Sequence, residues 1–268
     1  MSDFSIIPLY SGSSGNSTLI KAGDTNILID AGKNCKHLVA ALEAVGTAPE
    51  DIDDIFITHV HSDHIGALDV FIRKYPVRLY ATEFSHRYLA RKFVKPHPMT
   101  EDIRIREGGS VALNPDLTVS CCPTPHDAGG SVCYRIDYKG RSCAVMTDLG
   151  HITEDIREFA VGAHTVLLES NYDQRMLAFG SYPEDLKVRI AGDKGHLSND
   201  DCADMMMHLI AKGTSDFILG HLSENNNTPE KAYHASVDYL ARHSLIQGRD
   251  YSIKVANRHE PTTVTEIL

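Results

Sequence analysis

The chain has 268 residues, of which 42% are hydrophobic and 23% are charged, and its formal net charge is −10. This composition is typical of a soluble globular protein with an ample core. No run approaches the roughly 20 apolar residues of a membrane span, and the N-terminus lacks the basic start of a signal peptide. The six cysteines show no C-x-x-C spacing, so we expect reduced, buried thiols in a cytoplasmic protein without a membrane partner.

The first half of the chain opens with three short runs typical of strands, SIIPLY, STLIKA and NILIDA. Polar turns separate them, which predicts an N-terminal meander. Apolar residues at helical spacing in KHLVAALEAVG predict a helix that stops at Gly46. IFIT and VRLYA are typical of buried strands, and IGALDVFIRKY between them predicts a helix that starts at residue 65 and is closed by Pro76.

A basic run, SHRYLARKFVKPH, follows these elements. It carries Arg87, Arg91, Lys92 and Lys95 and no acidic residue. The favoured interpretation is a solvated helix face, because most charge runs are such faces. The alternative is a basic strip beside an active-site mouth that meets a phosphate backbone. The acidic net charge argues against nucleic-acid binding over the whole surface, but not against such a local strip.

The second half returns to short strands and then alternates strands with helices. LTVSCCPTP, SVCYRIDYKG, RSCAVMTD, HTVLLES and SDFILGH are typical of strands, whereas PEDLKVRIAG, NDDCADMMMHLIAKG and PEKAYHASVDYLARH are typical of helices. No low-complexity linker separates the two halves. We therefore predict a single α/β (α+β) domain over residues 1–268, in which two packed sheets from two similar halves are flanked by helices.

The most informative stretch is THVHSDHIG, directly after the apolar strand IFI. His59 and His61 lie two positions apart, so in an extended segment their side chains point the same way. Asp63 and His64 follow in the turn that leads to the next helix. Crowding these groups without a metal would be unfavourable, because of repulsion and desolvation. The stretch therefore predicts a metal centre.

Three later strands also end on a polar acceptor. The acceptors are His126 after CCPTP, Asp148 after CAVMT and His221 after DFILG. Ligands gather beyond the carboxyl ends of strands in α/β sheets, so we expect the four strand ends to converge. Together they offer five imidazoles and two carboxylates, which is enough for two metal ions with room for water.

HVHSDH matches the H-x-H-x-D-H motif of the metallo-β-lactamase superfamily, and His126, Asp148 and His221 match its three downstream ligands in order. This resemblance spans essentially the whole chain and implies an αββα four-layer sandwich. The stretches SGSSGNS, LESNYD, SYPEDLKVRI, GHLSN and HLSENNN resemble the YycJ, or WalJ, group, described as phosphodiesterases or 5′-exonucleases. TDLG replaces a TDTG-like run and YPE replaces the common YPW. Asp148 is kept, so only the second departure bears on substrate preference.

The resemblance also implies how the ligands divide between two ions. One metal would be held by His59, His61 and His126, the second by Asp63, His64 and His221, and Asp148 would bridge the two. Imidazoles suit zinc, while the carboxylates also admit manganese. A hydroxide bridging the two ions is the expected nucleophile.

Two further segments are candidates for contact with substrate. SGSSGN, with Ser14 and Asn16, offers hydroxyl and backbone N–H groups to a phosphate, although a plain tight turn explains it equally well. His196 in GHLSN lies about where ribonuclease Z-like relatives keep a histidine near the scissile phosphate. We predict that it neutralises phosphate charge or donates a proton, so the general acid is Asp63 or His196. Ser198 is predicted to cap the next helix.

These residues predict a dinuclear-metal phosphodiesterase, most readily a nuclease that acts on DNA or RNA, with a 5′ end as the expected point of attack. The alternative is a small-molecule hydrolase with the same metal core: a cyclic phosphodiesterase, thioesterase or lactonase. The acidic net charge favours the small substrate, whereas the basic run and GHLSN favour nucleic acid. A metal-stabilised regulatory module without turnover is a third hypothesis, and the full ligand set argues against it.

Overall fold

The computed structural model describes residues 3–93 and 100–268, and their strands form two seven-stranded sheets. The first sheet is built from β1 (Phe4–Tyr10), β2 (Ser17–Ala22), β3 (Thr25–Ile29), β4 (Asp54–Phe56), β5 (Val77–Ala81), β6 (Thr100–Arg104) and β14 (Thr265–Glu266), in the order β14-β1-β2-β3-β4-β5-β6. The second is built from β7 (Ser110–Asn114), β8 (Leu117–Pro123), β9 (Val132–Tyr138), β10 (Arg141–Met146), β11 (Thr165–Glu169), β12 (Asp216–Gly220) and β13 (Ser252–Val255), in the order β13-β12-β11-β10-β9-β8-β7.

The two sheets have matching topologies. In the first, β14, β1, β2 and β3 pair antiparallel, and β3 to β6 pair parallel. In the second, β7 to β10 pair antiparallel, and β10 to β13 pair parallel. The prediction of two similar halves is therefore confirmed.

Helices cover the outer face of each sheet. Those of the first half are α1 (Cys35–Ala44), α2 (Ser62–Ile65), α3 (Leu68–Lys74) and α4 (Glu83–Lys92), with a short 3₁₀ helix at Pro49–Asp51. Those of the second half are α5 (Glu154–Ala160), α6 (Gln174–Phe179), α7 (Glu184–Ala191), α8 (Asn199–Ile210) and α9 (Pro229–Arg242). Within the described ranges, none is long and apolar enough to cross a bilayer.

Three apolar clusters separate the layers. The first, with Leu38 and Phe71, packs α1 and α3 on the first sheet, and the third, with Met205, packs α8 on the second. The cluster between the sheets contains Phe56 of β4 and Tyr134 of β9, whose ring centroids lie 5.4 Å apart. These layers confirm the αββα sandwich. The prediction of one domain over residues 1–268 stays a prediction.

Polar side chains fix where several helices begin. In each case the side chain before the helix accepts a hydrogen bond from the backbone N–H of the third helical residue, which satisfies one donor left free by helix geometry. The capping residues are Asn34, Thr82, Thr153, Asp173, Ser198 and Thr228. The cap predicted for Ser198 is thus confirmed.

The helix predicted to start at residue 65 differs from the observed one. It begins earlier, at Ser62, and is split into α2 and α3 around Gly66. A Cβ atom at Gly66 would lie 2.1 Å from the carbonyl oxygen of Lys33, so the crossing backbone requires glycine there. Ala67 N–H bonds to Ala31 O at 2.8 Å rather than within the helix. The two predicted ligands of this segment, Asp63 and His64, therefore lie within the short helix α2.

Sequence patterns also missed the strands β6, β7, β13 and β14 and the helices α5 and α6. The basic helix is present as α4, but it begins at Glu83, before the basic run. Glu83 Oε1 accepts from Arg87 Nε at 2.7 Å, which offsets part of the positive charge. Lys95 lies outside the described residues.

A buried carboxylate at the start of β4 predicts a measurable pH dependence. Burial raises the pKa of Asp54 from 3.8 to about 6, although Arg78 Nη2 donates to Oδ2 at 2.8 Å and lowers it. Between these pH values the folded chain keeps a proton that the unfolded chain releases, so the free energy of unfolding falls as pH rises through the window. We expect Asp54→Asn to lessen this fall, as measured by urea unfolding at several pH values. Identical pH slopes in both proteins would contradict the assignment.

Candidate metal centre

The seven predicted ligands converge beyond the carboxyl ends of the central strands of both sheets. Their possible ligand atoms lie within 4.8 Å of one another in overlapping groups. The groups are His59, His61 and His126; Asp63, His64 and His221; His59, His64 and Asp148; and Asp148, Glu169, His196 and His221. The expected convergence of four strand ends is therefore present in the structure.

The first three histidines face one another across a small space. His61 Nδ1 lies 3.3 Å from His126 Nε2, and His59 Nε2 is buried with no hydrogen-bond partner in the described part of the chain. The outer nitrogens are held elsewhere: His126 Nδ1 donates to Gly195 O at 3.1 Å, and His61 Nε2 lies 3.4 Å from Asp127 Oδ1. Each ring therefore presents one nitrogen to the common centre.

A second group adjoins the first. Asp63 Oδ2 lies 3.4 Å from His64 Nε2 and 3.7 Å from His221 Nε2. Asp148 stands between the two groups, because Oδ1 lies 3.5 Å from His126 Nε2 and Oδ2 lies 3.3 Å from His64 Nε2. This is the position that a bridging carboxylate requires.

Two carboxylates that sequence patterns had not predicted hold the ligand rings. Asp30 Oδ2 accepts from His64 Nδ1 at 2.7 Å. Glu169 Oε1 accepts from Nδ1 of His221 at 2.9 Å and from Nδ1 of His196 at 2.8 Å. A ring held through Nδ1–H keeps its orientation and leaves Nε2 for a metal or a substrate. Both carboxylates end apolar strands, NILID and TVLLE, so the signal that identified the other ligands was present for them as well.

Three of these strand ends have an unusual backbone conformation. Asp30, Asp148 and His221 have φ angles of 63°, 60° and 55°. Residues other than glycine rarely adopt this left-handed region, and Asp, Asn and His tolerate it best. Such strain concentrates at functional sites, where surrounding contacts maintain it. Here it turns the chain sharply as it leaves each strand.

The SGSSGN turn, residues 11–16, contacts two of the predicted ligands through the side chain of Asn16. Asn16 is buried, and its Nδ2 lies 3.1 Å from Asp63 Oδ2 and 3.0 Å from His64 Nε2. Asn16 N–H also bonds to Asp63 O at 2.8 Å. Ser14 instead lies on the surface and accepts from Lys33 Nζ at 3.1 Å. The position of Asn16 supports a role in orienting ligands, and the substrate contacts proposed for Asn16 and Ser14 stay predictions.

Burial and mutual charge shift the pKa values of the cluster. Burial lowers the pKa of His59 well below its usual value. Burial also disfavours charge on His64 and His221, yet Asp148 and the other carboxylates raise the pKa of His64 well above normal and that of His221 to about 10. Burial opposes ionisation of Asp148, but the surrounding histidines hold its pKa well below normal. The carboxylates thus favour positive charge beside His64 and His221, which a bound cation can supply.

The donor set fits a divalent metal ion. His59 Nε2 and His221 Nε2 are buried without hydrogen-bond partners among the described residues, and an unsatisfied buried polar group costs about 1–3 kcal/mol. Both atoms belong to groups whose ligand atoms lie within 4.8 Å of one another. Imidazole nitrogens with carboxylate oxygens are the ligands that zinc accepts, and they also admit manganese.

The centre opens into a cavity of about 320 Å³. Its opposite wall comes from α7 and the turn before it, through Tyr182, Leu186 and Arg189. Arg189 Nη2 lies 2.6 Å from Oδ2 of Asp127, which neighbours the ligand His126. His196 also lines the cavity, as the prediction of a substrate contact requires.

Comparison with known proteins decides the family. A model described as a beta-lactamase superfamily domain matches residues 25–221. The chain belongs to the metallo-β-lactamase superfamily. Among curated superfamily members, it is 35% identical over 259 residues to the exodeoxyribonuclease WalJ of Streptococcus pneumoniae, covering 97% of this chain and 96% of that protein. It is 32% identical over 256 residues to the exodeoxyribonuclease YycJ of Bacillus anthracis, covering 96% of each.

A solved superfamily structure has the same fold. The metallo-β-lactamase fold protein YhfI from Bacillus subtilis superimposes with a TM-score of 0.72, covering 97% of this chain and 99% of that one at 14% identity. At this identity the likeness concerns the fold alone. Together with the relatives above, it confirms the predicted superfamily and fold, while the roles of the individual ligands stay predictions.

A substitution at Glu169 tests whether its hydrogen bonds to His196 and His221 contribute to metal binding. We expect Glu169→Gln to weaken divalent-metal affinity roughly 10- to 100-fold. A carboxamide lacks the negative charge that strengthens the bonds to His196 and His221, and its NH2 group would face Leu149 N–H, which donates to Glu169 Oε2 at 2.6 Å. Zinc and manganese affinity would be measured by competition with a chromophoric chelator. Glu43→Gln, on the exposed face of α1, is the matched control. Unchanged affinity in Glu169→Gln would exclude this supporting role.

Proposed function

We propose that the protein is a metal-dependent exodeoxyribonuclease that degrades DNA from a 5′ end with two divalent ions, zinc or manganese. The observation that carries the proposal is the convergence of all seven ligands at one open cavity. It is joined by 35% identity, over 97% of the chain, to a protein named as an exodeoxyribonuclease. The 5′ polarity rests on the resemblance to the YycJ group.

The chain divides its ligands as the superfamily pattern implies. His59, His61 and His126 would hold one ion, Asp63, His64 and His221 would hold the other, and Asp148 would contact both. Two divalent ions held there would supply an activated water and offset charge on a phosphodiester. The chain's own part is to hold these side chains in place before substrate arrives, through Asp30, Glu169 and the other hydrogen-bond partners of the rings.

The two candidates for general acid have different surroundings. Asp63 accepts from Asn16 and lies against His64 and His221, which hold its pKa well below the usual value although burial opposes this. Asp63 is therefore a carboxylate without a proton to give. His196 is bound through Nδ1 to Glu169, which leaves Nε2 for the leaving oxygen of a substrate in the cavity. We assign proton donation to His196 and metal binding to Asp63.

The small-molecule alternative is not favoured, because the two relatives that match nearly the whole chain are both named exodeoxyribonucleases. A module without turnover is disfavoured by the open cavity at the complete ligand set. The six cysteines are all buried and unpaired, which fits the proposed work in a reducing compartment.

The deciding experiment is a time course on 5′-phosphorylated DNA and RNA, single-stranded and duplex. The protein is loaded with manganese or zinc, and Asp63→Ala is assayed in parallel to exclude contaminating nucleases. Stepwise loss from the 5′ end of DNA by the wild type alone is the expected result. Hydrolysis of bis(p-nitrophenyl) phosphate without any cleavage of nucleic acid would instead support a small-molecule phosphodiesterase.

A further inference from the structure

A second groove, of about 340 Å³, opens beside the metal cavity. Its lining consists of Ser13, Ser14, Lys33, Asn34, His37, Ser62 and Asp63. We call it the Lys33 groove. Ser13, Ser62 and Asp63 also line the metal cavity, so the two spaces adjoin at the predicted ligand Asp63. A chain-like substrate that crosses the metals can therefore extend into the Lys33 groove.

Lys33 has a fixed place in this groove. Its Nζ donates to Ser14 Oγ at 3.1 Å and to His259 Nδ1 at 3.3 Å, and it lies 5.5 Å from the centre of the Tyr10 ring. The stem of Lys33 crosses Gly15, where an added Cβ would lie 2.4 Å from Cγ. The backbone of Lys33 is held in the left-handed region at φ 62°, a strained conformation for lysine.

Within residues 3–93 and 100–268, no carboxylate forms an ion pair with Lys33. Lys33 and Arg189 are the permanent cations among the described residues that line the two spaces. Arg189 is paired with Asp127. No carboxylate of the described residues lies within 4.0 Å of Lys33 Nζ, whose polar neighbours are a hydroxyl and an imidazole. An uncompensated ammonium beside exposed hydroxyls is suited to a phosphate.

We propose that the Lys33 groove binds the phosphate adjacent to the scissile one on the same nucleic-acid strand. This proposal rests on the proposed function and deepens it. The metal cavity takes one phosphodiester, and the adjoining groove presents Lys33, Ser13 and Ser14 to the next phosphate group. The groove thereby selects a polynucleotide over an isolated phosphodiester, although the metal centre serves both. The SGSSGN turn supplies its hydroxyls, which gives that segment a function beyond turning the chain.

The test compares Lys33→Gln and Lys33→Arg with the wild type. Glutamine keeps most of the stem over Gly15 but removes the charge, and arginine restores the charge. On a single-stranded oligodeoxynucleotide, we expect Lys33→Gln to raise KM roughly tenfold with little change in kcat. The slope of log(1/KM) against log salt should become shallower by about 0.7, the value for one phosphate contact on a single strand. Lys33→Arg should recover most of the affinity.

Bis(p-nitrophenyl) phosphate, which has one phosphate, separates binding in the groove from damage to the metal centre. Lys33→Gln should change its hydrolysis less than twofold. Lys212→Gln, an exposed substitution just after α8, is the control for loss of one positive charge.

Removing the 5′-phosphate from the oligonucleotide identifies which phosphate is bound. If the Lys33→Gln penalty then disappears, the groove holds the terminal phosphate; if it persists, the groove holds an internal one.

Two results would contradict phosphate binding in the Lys33 groove without contradicting the proposed nuclease activity. One is an oligonucleotide KM and salt dependence unchanged in Lys33→Gln. The other is an equal loss on both substrates, since that would place Lys33 in support of the metal centre. A wild-type protein that hydrolyses bis(p-nitrophenyl) phosphate but no oligonucleotide would overturn both proposals together. The failure of each proposal is thus distinguishable.

Discussion

Asp148→Asn is expected to lower DNA hydrolysis roughly a thousandfold or more and to reduce bound metal. Asp148 is the carboxylate that reaches both groups of ligands, and its pKa is held well below normal by the surrounding histidines. An amide lacks the charge that offsets two divalent cations. Losing one metal's contribution of several kcal/mol to the transition state corresponds to about three decades in rate. Asparagine tolerates the left-handed backbone at this position, so the fold should persist.

The measurement pairs rates on a 5′-phosphorylated oligonucleotide with metal content by mass spectrometry. Asp238→Asn, at an exposed site on α9, removes one carboxylate charge without touching the centre and should behave as wild type. Circular dichroism confirms that both variants are folded. Full metal content and full activity in Asp148→Asn would mean that this carboxylate does not bridge the ions.

His196→Ala should reduce kcat on DNA about 100- to 10,000-fold, the usual range for removal of a general acid, with little change in KM. The reason is the position of His196 on the cavity wall, with Nδ1 bound to Glu169. The leaving group provides the diagnostic readout. p-Nitrophenolate departs without needing a proton, so the loss on bis(p-nitrophenyl) phosphate should be much smaller than on DNA.

The metal content of His196→Ala distinguishes a proton donor from a metal ligand, which is the other role that the geometry allows for His196. His196 lies in a group with Asp148, Glu169 and His221 whose ligand atoms are close enough to share an ion. If His196 is the proton donor, His196→Ala keeps both metals. Loss of one equivalent of metal, or equal losses on both substrates, would show that His196 acts as a ligand or a structural residue instead.

The sequence contained most of the site because its ligands follow strands in a regular way. Apolar runs that end before His126, Asp148 and His221 indicated that these three side chains meet, since strand ends of one sheet share an edge. The match of HVHSDH to the superfamily motif then added the ligands of the first sheet. The layered fold followed from alternating strand and helix patterns. Sequence patterns missed the short strands β6 and β7, because none of their residues is buried and little apolar pattern marks them.

The site residues that sequence patterns missed act through hydrogen bonds between distant segments. Glu169 binds a histidine 27 residues later and another 52 residues later, a pairing that only the folded topology creates. Asp30 ended a strand like the ligands did, but nothing local distinguishes a carboxylate that binds an imidazole from one that binds a metal. Asn16 looked like part of a surface turn, and its burial against Asp63 arises from the close crossing of three loops.

The ligands come from both halves of the sandwich, and this has a consequence for the protein during its synthesis. Four of them, in HVHSDH, emerge from the ribosome early, whereas His221 lies near the end of the chain. Domains generally fold as units, and a metal site exists only when its ligands are assembled. A chain released before residue 221 lacks part of one ion's ligand set. The proposed two-ion activity would therefore arise only after both halves of the sandwich have been synthesised and have folded together.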